Sequence, residues 1–340
     1  DLAVEDLAGN ASASNFMSWF RTGEPLPPVL NVVGSNRIET AIKASQLAFE
    51  RADTVVIATG RNWPDALGGT SLAGAVDGPI LLVDGAKKAV PVAVTNEIGR
   101  LKASNVIIVG GTAAVTADIE RALKGSKLSV IRVAGANRYA TANKIAREVI
   151  SRQGGSYSGK AFVATGGNFP DALAVAPLAS AGKWPLYLAD PAKGITPETK
   201  AAMAGVKEVV ITGGAAVVSA KVESGLKASY PNKVTRVAGA NRYDTAARVA
   251  AYGVKSSGLG LKWDRVGITT GDDFPDALAG GVVQGNVGSV MLLTRSDILD
   301  AAAAGALKAN KADISTVTYF GGTSAVSDKV RDQVSAALSM

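Results

Sequence analysis

Three arginines are, by type and position, the residues of this chain best suited to bind an anion. Arg37, Arg138 and Arg242 each follow an asparagine in the motif N-R-x-x-T-A, and the copies lie about a hundred residues apart. Each is predicted at the start of a helix, where the helix dipole disfavours a cation. We therefore expect a specific acceptor for each. It is either an aspartate of the same or an adjacent repeat, or an anionic ligand held by two guanidinium N–H groups.

A carboxylate recurs with the arginines, in the motif T-G-x-[ND]-[FW]-P-D-A-L. The motif aspartates are Asp65, Asp171 and Asp276. The prolines before them are predicted to open helices at Pro64, Pro170 and Pro275. A carboxylate in a first helical turn accepts backbone N–H bonds and complements the dipole, which contributes about 0.3–1 kcal/mol. The alternative is that it binds a ligand hydroxyl or a partner arginine. The [ND] position, available to sugar hydroxyls, holds Asn62, Asn168 and Asp273.

A third motif is a glycine pair that closes a hydrophobic strand in each repeat. The pairs are Gly110 and Gly111, Gly213 and Gly214, and Gly321 and Gly322. Backbone N–H groups exposed after a strand could cradle an anion. The alternative is a tight turn between strand and helix with no ligand.

Short apolar runs alternate with helical patterns around these motifs. In the second repeat, strands are predicted over 130–133, 161–164, 186–189 and 209–212. Helices are predicted over 139–150, 170–181, 196–204 and 219–228, and the other two repeats give the same order. This alternation predicts an α/β fold of three tandem homologous modules, each a mainly parallel sheet flanked by helices.

The repeats set the domain organisation. Modules are expected over 31–131, 132–235 and 236–340, because units this long are domains and not solenoid repeats of roughly 20–50 residues. Residues 1–30 form an N-terminal extension, with a short helix expected around Phe16, Trp19 and Phe20 and a proline-rich linker after it. The start lacks Met and a signal-peptide pattern, so a leader or an effector domain is expected upstream.

Composition excludes several kinds of chemistry. With no Cys and no His, the chain cannot use thiolate nucleophiles or histidine-dependent triads, and it lacks the commonest zinc ligands. Signatures for nucleotide binding and serine hydrolysis are absent as well, so we expect no catalytic residues, cofactor or metal. Aromatic residues are scarce at 5%, which disfavours nucleic acid. No apolar run is long enough to span a membrane.

The net charge of +7 favours an anionic polymer as partner. Residues 132–235 alone carry a net +7, which makes the second repeat the expected site of strongest anion binding. A solvated surface with a few extra lysines would also explain the balance.

The three motifs, in their fixed order, resemble the cell-wall-binding repeat type 2 family. The second repeat follows that family's pattern almost position by position, in IRVAGANRYATA, ATGGNFPDAL, WPLYL and VVITGG. The first repeat departs at Ile38, where the family has an aromatic residue, and the third at Ser289, where the family has proline. The resemblance covers residues 31–340.

The resemblance implies function and arrangement beyond what the residues show alone. It implies non-catalytic modules, arranged with pseudo-threefold symmetry, on a secreted protein of a Gram-positive bacterium. They would anchor the protein non-covalently to an anionic wall glycopolymer, teichoic-acid-like or a phosphorylated polysaccharide. The family's P-[IL]-L-L strand maps to residues 80–82, 186–188 and 291–293, which we interpret as core or intermodule packing. The alternatives are an adhesin or surface-layer component, or the binding part of a peptidoglycan hydrolase.

Overall fold

A computed structural model describes residues 26–255 and 259–339. The predicted helix around Phe16, Trp19 and Phe20 lies outside these residues. The first repeat contains β1 (Val29–Val32), α1 (Arg37–Ala48), β2 (Thr54–Thr59), α2 (Gly69–Ala75), β3 (Ile80–Val83), α3 (Val92–Arg100), β4 (Asn105–Val109) and α4 (Ala117–Gly125).

The other two repeats follow the same order of elements. The second contains β5 (Ser129–Val133), α5 (Arg138–Gln153), β6 (Lys160–Thr165), α6 (Pro170–Ala174), α7 (Ala176–Gly182), β7 (Leu186–Ala189), α8 (Pro197–Ala202), β8 (Glu208–Thr212) and α9 (Ala220–Ser229). The third contains β9 (Val234–Val237), α10 (Arg242–Lys255), β10 (Lys262–Thr270), α11 (Pro275–Asn286), β11 (Ser289–Thr294), α12 (Ala301–Ala309), β12 (Thr316–Phe320) and α13 (Asp328–Ser339).

The strands form three four-stranded parallel sheets, which confirms the predicted α/β modules. Their orders are β3-β2-β4-β5, β7-β6-β8-β9 and β11-β10-β12-β1. Most strands are buried and largely apolar because helices cover both faces of a parallel sheet, whereas β1, β5 and β9, each at a sheet edge, are partly exposed and carry polar residues. The segments predicted as packing strands, 80–82, 186–188 and 291–293, are at most 2% exposed, so this interpretation is confirmed.

The strand that opens each repeat belongs to the sheet of the preceding module. β5 pairs with β4, β9 pairs with β8, and β1 closes the third sheet by pairing with β12. The sheets are therefore offset from the sequence repeats by one strand, and the ends of the described chain meet in one sheet. The limits 31–131, 132–235 and 236–340 remain proposed boundaries of the sequence repeats.

Three helices rich in small residues pack around a common axis between the modules. α2, α7 and α11 contact one another, and this places the sheets on the outside with pseudo-threefold symmetry. The approach is close: a side chain at Gly74 would overlap the carbonyl of Ser180, and one at Gly281 would overlap Ala176. These glycines fix the intermodule distance, because only a missing Cβ allows the backbones so near.

Two predicted helices differ from the structure. Pro64 does not open a helix: residues 64–68 form successive turns, and α2 begins at Gly69. Gly68 and Gly69 follow the motif there, and each glycine costs about 1 kcal/mol in a helix. The single helix predicted over 170–181 is two helices, which meet at Val175. Pro177 has no N–H to bond within the first helix, so a new helix begins around it.

Candidate ligand-binding sites at the carboxyl ends of the sheets

The three motifs meet at the carboxyl edge of each sheet, where parallel sheets usually bind ligands. Each of these three candidate sites combines the P-D-A-L loop and the glycine pair of one sheet with the N-R loop of the following strand. Site 1 contains Asn62, Asp65, Gly110, Gly111 and Arg138; site 2 contains Asn168, Asp171, Gly213, Gly214 and Arg242; site 3 contains Asp273, Asp276, Gly321, Gly322 and Arg37.

The arginines begin their helices as predicted, and their acceptor is a backbone carbonyl. Arg37, Arg138 and Arg242 donate from Nη1 to the oxygens of Gly60, Gly166 and Gly271 at 2.6–2.8 Å. Each of these glycines directly follows the second strand of the arginine's own repeat. Part of the guanidinium is thereby bound, which accounts for a cation at a helix start without a ligand.

The rest of each guanidinium reaches toward the preceding module. Arg138 lies over the ring of Trp63 at 4.7 Å, and Arg242 lies over Phe169 at 5.9 Å. Arg37 instead pairs with Asp273 of the third module at 3.2 Å. Among the described residues, Arg138 and Arg242 form no ion pair, so their remaining guanidinium N–H groups stay available for an anion. In Arg37 a corresponding group is already bonded to Asp273.

The ring residues of the three P-D-A-L motifs also meet one another at the axis. Trp63 and Phe169 have ring centroids 6.2 Å apart, and Phe169 and Phe274 are 6.4 Å apart. Such tilted aromatic pairs contribute about 0.5–1.5 kcal/mol beyond their burial. The ring position of the motif therefore joins the modules, a role that the sequence reasoning did not assign.

The motif aspartates lie below the site surface. Thr245 donates to Asp171 and Thr40 donates to Asp276, so the threonine of N-R-x-x-T-A binds the aspartate of the preceding module. The same threonines accept the amide hydrogens of Gly239 and Gly34 at 3.1 and 3.2 Å. The threonine in the motif was the signal for this contact.

The first glycine of each pair packs directly on the aspartate. Gly110, Gly213 and Gly321 have φ between +99° and +104°, and a Cβ there would overlap Asp65, Asp171 and Asp276. Their amides donate to the last strand of the sheet, at Val133, Val237 and Val32. The second glycines, Gly111, Gly214 and Gly322, have no backbone acceptor among the described residues. They are the amides open to an anion.

Burial changes the ionisation of two motif aspartates. It raises the pKa of Asp276 to about 6, with the nearby charge of Asp273 adding to the effect. Burial also raises the pKa of Asp171. Burial opposes ionisation of Asp272 too, but hydrogen bonds from Tyr243 and Ser296 hold its pKa below the usual value. Site 3 is therefore acidic at its rim.

The [ND] side chains are exposed at the mouth of each site. Asn62, Asn168 and Asp273 each accept the amide hydrogen of the next residue at 2.8–3.0 Å. In Asn62 and Asn168 the amide nitrogen stays available for a ligand. In site 3 the corresponding carboxylate pairs with Arg37. The three sites therefore share a frame but differ in charge.

The family model for cell wall binding domain 2 (CWB2) matches residues 31–120, 132–223 and 236–331. The chain belongs to the CWB2 family. Its three CWB2 modules are therefore binding domains of Gram-positive wall and surface proteins. No helix among the described residues is long and apolar enough to cross a membrane.

Curated relatives contain the same region within longer proteins. The chain is 29% identical over 90% of its length to the N-acetylmuramoyl-L-alanine amidase LytC of Bacillus subtilis. It is 31% identical over 92% of its length to the amidase enhancer of the same organism. It spans 58% and 41% of these two proteins.

Two solved structures share the fold. Cwp6 from Clostridium difficile superposes with a TM-score of 0.81 at 23% identity, over 100% of this chain and 51% of that one. Cwp8 from Clostridium difficile gives 0.79 at 22% identity, over 91% of this chain and 51% of that one. The likeness extends over the described modules together and so supports their arrangement.

Proposed function

We propose that the CWB2 modules anchor the protein non-covalently, without catalysis, to an anionic glycopolymer of the wall of a Gram-positive bacterium. The protein would reach that wall by secretion. The polymer would be teichoic-acid-like or a phosphorylated polysaccharide. The observation that carries this proposal is the state of Arg138 and Arg242: both are fixed by a carbonyl and a ring, yet both keep unpaired guanidinium donors.

Neighbouring groups in sites 1 and 2 fit a sugar phosphate chain. The amides of Gly111 and Gly214 are open to phosphate oxygens, and Asn62 and Asn168 offer N–H donors to sugar hydroxyls. A cleft of about 430 Å³ lies at site 1 beside Asn62 and Asp65. Several weak sites on one rigid body give roughly 10²–10⁴-fold higher avidity than a single site.

Charge reversal of single arginines tests the proposal. Arg138→Glu and Arg242→Glu should each reduce retention on purified walls more than Arg37→Glu, since Asp273 already neutralises Arg37. All three variants lose the same bond to a glycine carbonyl, and Arg37→Glu also loses the ion pair with Asp273, so it controls for structural damage at least as large as that of the other two. Binding should fall with added salt and be lost on walls stripped of phosphate polymer. Equal retention on stripped walls would reject an anionic polymer.

Similarity to an amidase and to an amidase enhancer favours a second possibility. The modules could be the wall-binding part of a peptidoglycan hydrolase whose catalytic domain lies outside this sequence. In a gel containing wall peptidoglycan, residues 1–340 should give no cleared band. Clearing would show that the modules themselves hydrolyse the wall.

A further inference from the structure

The second module contains a groove beside helix α9. The groove lies between the loop of residues 191–195 and helices α8 and α9, and its volume is about 250 Å³. We call it the α9 groove. Its main lining residues are Lys193, Lys200, Met203, Lys221, Gly225 and Tyr230. No motif of the candidate sites includes these residues.

In the third module, a side chain ties the corresponding loop to the helix. Gln333 stands six residues after Ser327, and its Oε1 accepts the amide hydrogen of Leu299 at 2.8 Å. The same step from Ser219, the N-cap of α9, leads to Gly225. A Cβ at Gly225 would meet no atom within 4 Å. The space that Gln333 occupies in the third module is thus open in the second.

The loop of the α9 groove holds its own shape. Asp190 and Gly194 exchange two backbone hydrogen bonds at 2.9 and 2.7 Å, and the Asp190 carboxylate accepts the amides of Ala192 and Lys193. In the first module, by contrast, Thr116 donates to the carbonyl of Lys87 and pins the loop to the helix. The α9 groove is therefore preformed and does not depend on a contact across it.

Positive charge lines the rim and is only partly compensated. Lys193 is attracted by Asp190 and Glu198. The side-chain ammonium groups of Lys200 and Lys221 have no ion pair or hydrogen bond among the described residues, whereas the nearby Lys227 pairs with Glu223 at 2.7 Å. Two unpaired ammonium groups facing one small cavity favour an anion, and phosphate is a usual partner of lysine.

The floor of the groove is apolar, with one hydroxyl. Ile195, Met203, Val222 and Leu226 line it beside the half-buried ring of Tyr230. Burial raises the pKa of Tyr230, so its phenol stays protonated and can donate. Its hydroxyl makes no hydrogen bond to another described residue, although Tyr157 and Tyr187 lie near it. A sugar ring matches this surface, because it presents a C–H face to apolar side chains and hydroxyls at its edge. A cavity below about 300 Å³ is smaller than usual ligand sites and suits one such ring.

We propose that the α9 groove binds a single phosphorylated sugar residue, with phosphate at Lys200 and Lys221 and the ring over Tyr230. Pro191 of the groove packs against Gly167 of the T-G-G-N loop, so the groove lies next to the loop that carries Asn168 of site 2. The bound residue would then be a unit of the wall polymer. That last step rests on the proposed function, whereas binding of the sugar phosphate itself does not.

Titration of the labelled full chain with glucose 1-phosphate, followed by NMR, tests the groove. Saturable shifts are expected at the amides of Gly194 and Gly225, with at least tenfold weaker binding after Lys200→Gln with Lys221→Gln. Gly225→Gln should abolish the shifts by filling the space. It should also keep the fold, since glutamine favours a helix over glycine. Ala122→Gln, at the matched position of the first module, should bind as the wild type does.

Other probes separate the outcomes. Glucose should bind far more weakly, and so should inorganic phosphate, which lacks the ring. Equal binding of phosphate alone would overturn the sugar subsite, and unchanged binding by Gly225→Gln would overturn the groove. If glucose 1-phosphate binds but walls do not, the groove stands and the proposed anchoring fails. If the protein binds walls but glucose 1-phosphate causes no shifts at the groove residues, only the groove proposal is wrong.

Discussion

Arg138 of the second repeat lies 4.7 Å from the ring centroid of Trp63 of the first repeat and donates to the carbonyl of Gly166. One side chain therefore links two modules and also offers donors at site 1. Because Trp63 also packs on Phe169, the ring supports both the arginine and the aromatic cluster at the axis. Stability of the modules and affinity at the site are coupled through this contact.

Trp63→Ala is therefore expected to lower both properties. Loss of the ring should reduce the free energy of unfolding by about 3 kcal/mol and weaken wall binding, since Arg138 loses its support. Trp63→Phe is the matched control and should stay within about 1 kcal/mol of wild type, because the other two repeats use phenylalanine there. Urea unfolding and wall pull-down measure the two effects. Wild-type wall binding by a folded Trp63→Ala protein would contradict the coupling.

The two glycines of each pair should respond differently to substitution. Gly213→Ala places a Cβ against Asp171 at a φ of +99°, so it should destabilise the protein by at least about 2 kcal/mol. At Gly214 a Cβ meets nothing within 4 Å, and Gly214→Ala should leave stability nearly unchanged. Thermal unfolding of both variants makes the comparison. Equal melting temperatures would show that the first glycine is not required for the packing.

Much of the fold could be predicted because each local signal agreed with the final structure. Apolar runs gave the strands, and the asparagine of N-R gave the helix starts: Asn36 caps α1 and Asn137 caps α5 with their side-chain oxygens. The family resemblance supplied the threefold arrangement. The prediction that Pro64 opens a helix was wrong because the two glycines after the motif, not the proline, determine where that helix begins.

Two kinds of contact at the sites could not be predicted from the sequence pattern of a repeat. The acceptor of Arg138 is a backbone oxygen, and a sequence does not show which carbonyl is left free at a strand end. The partner of Asp171 is Thr245, which lies in the next repeat because β9 joins the second sheet. The sequence shows the positive charge of the second repeat. The groove at Gly225, however, also depends on how the loop of residues 191–195, which comes earlier in the chain, packs beside α9.

A charge exchange marks the strand that closes the third sheet. In the first two sheets an arginine on the last strand, Arg132 or Arg236, donates to the carbonyl of the first glycine of the pair and to a glutamate of the helix that precedes the strand. In the third sheet that strand position is Asn31, and the helix position holds Arg331, which donates to Asn31 at 2.7 Å. The pair is inverted, so β1 carries no arginine where β5 and β9 do.

Asn31→Arg should consequently destabilise the third module, since two guanidinium groups would meet at one carbonyl. We expect a loss of about 2 kcal/mol, since the hydrogen bond of Arg331 to Asn31 is lost and two like charges meet. Adding Arg331→Glu should restore most of it by recreating the pair of the other sheets. A double-mutant cycle in urea gives the coupling. Additive effects of the two changes would show that the residues do not form a unit.

The buried carboxyl of Asp276 should make stability depend on pH. Its pKa is raised to about 6 by burial and by Asp273, against 3.8 in the unfolded chain, so the folded state binds the proton more tightly. The stabilising contribution is fully present below pH 3.8 and is lost as pH rises through about 6. The size is about 3 kcal/mol at most.

Asp276→Asn should remove this part of the pH dependence, because asparagine stays neutral and can still accept from Thr40. Measured by urea midpoints from pH 3.5 to pH 8, the variant should gain stability relative to wild type as pH rises from about 4 to about 7. At pH 3.5 the wild-type carboxyl is protonated, so the comparison there isolates the steric effect of the substitution. Parallel curves for the two proteins across the whole range would show that Asp276 does not titrate between these states.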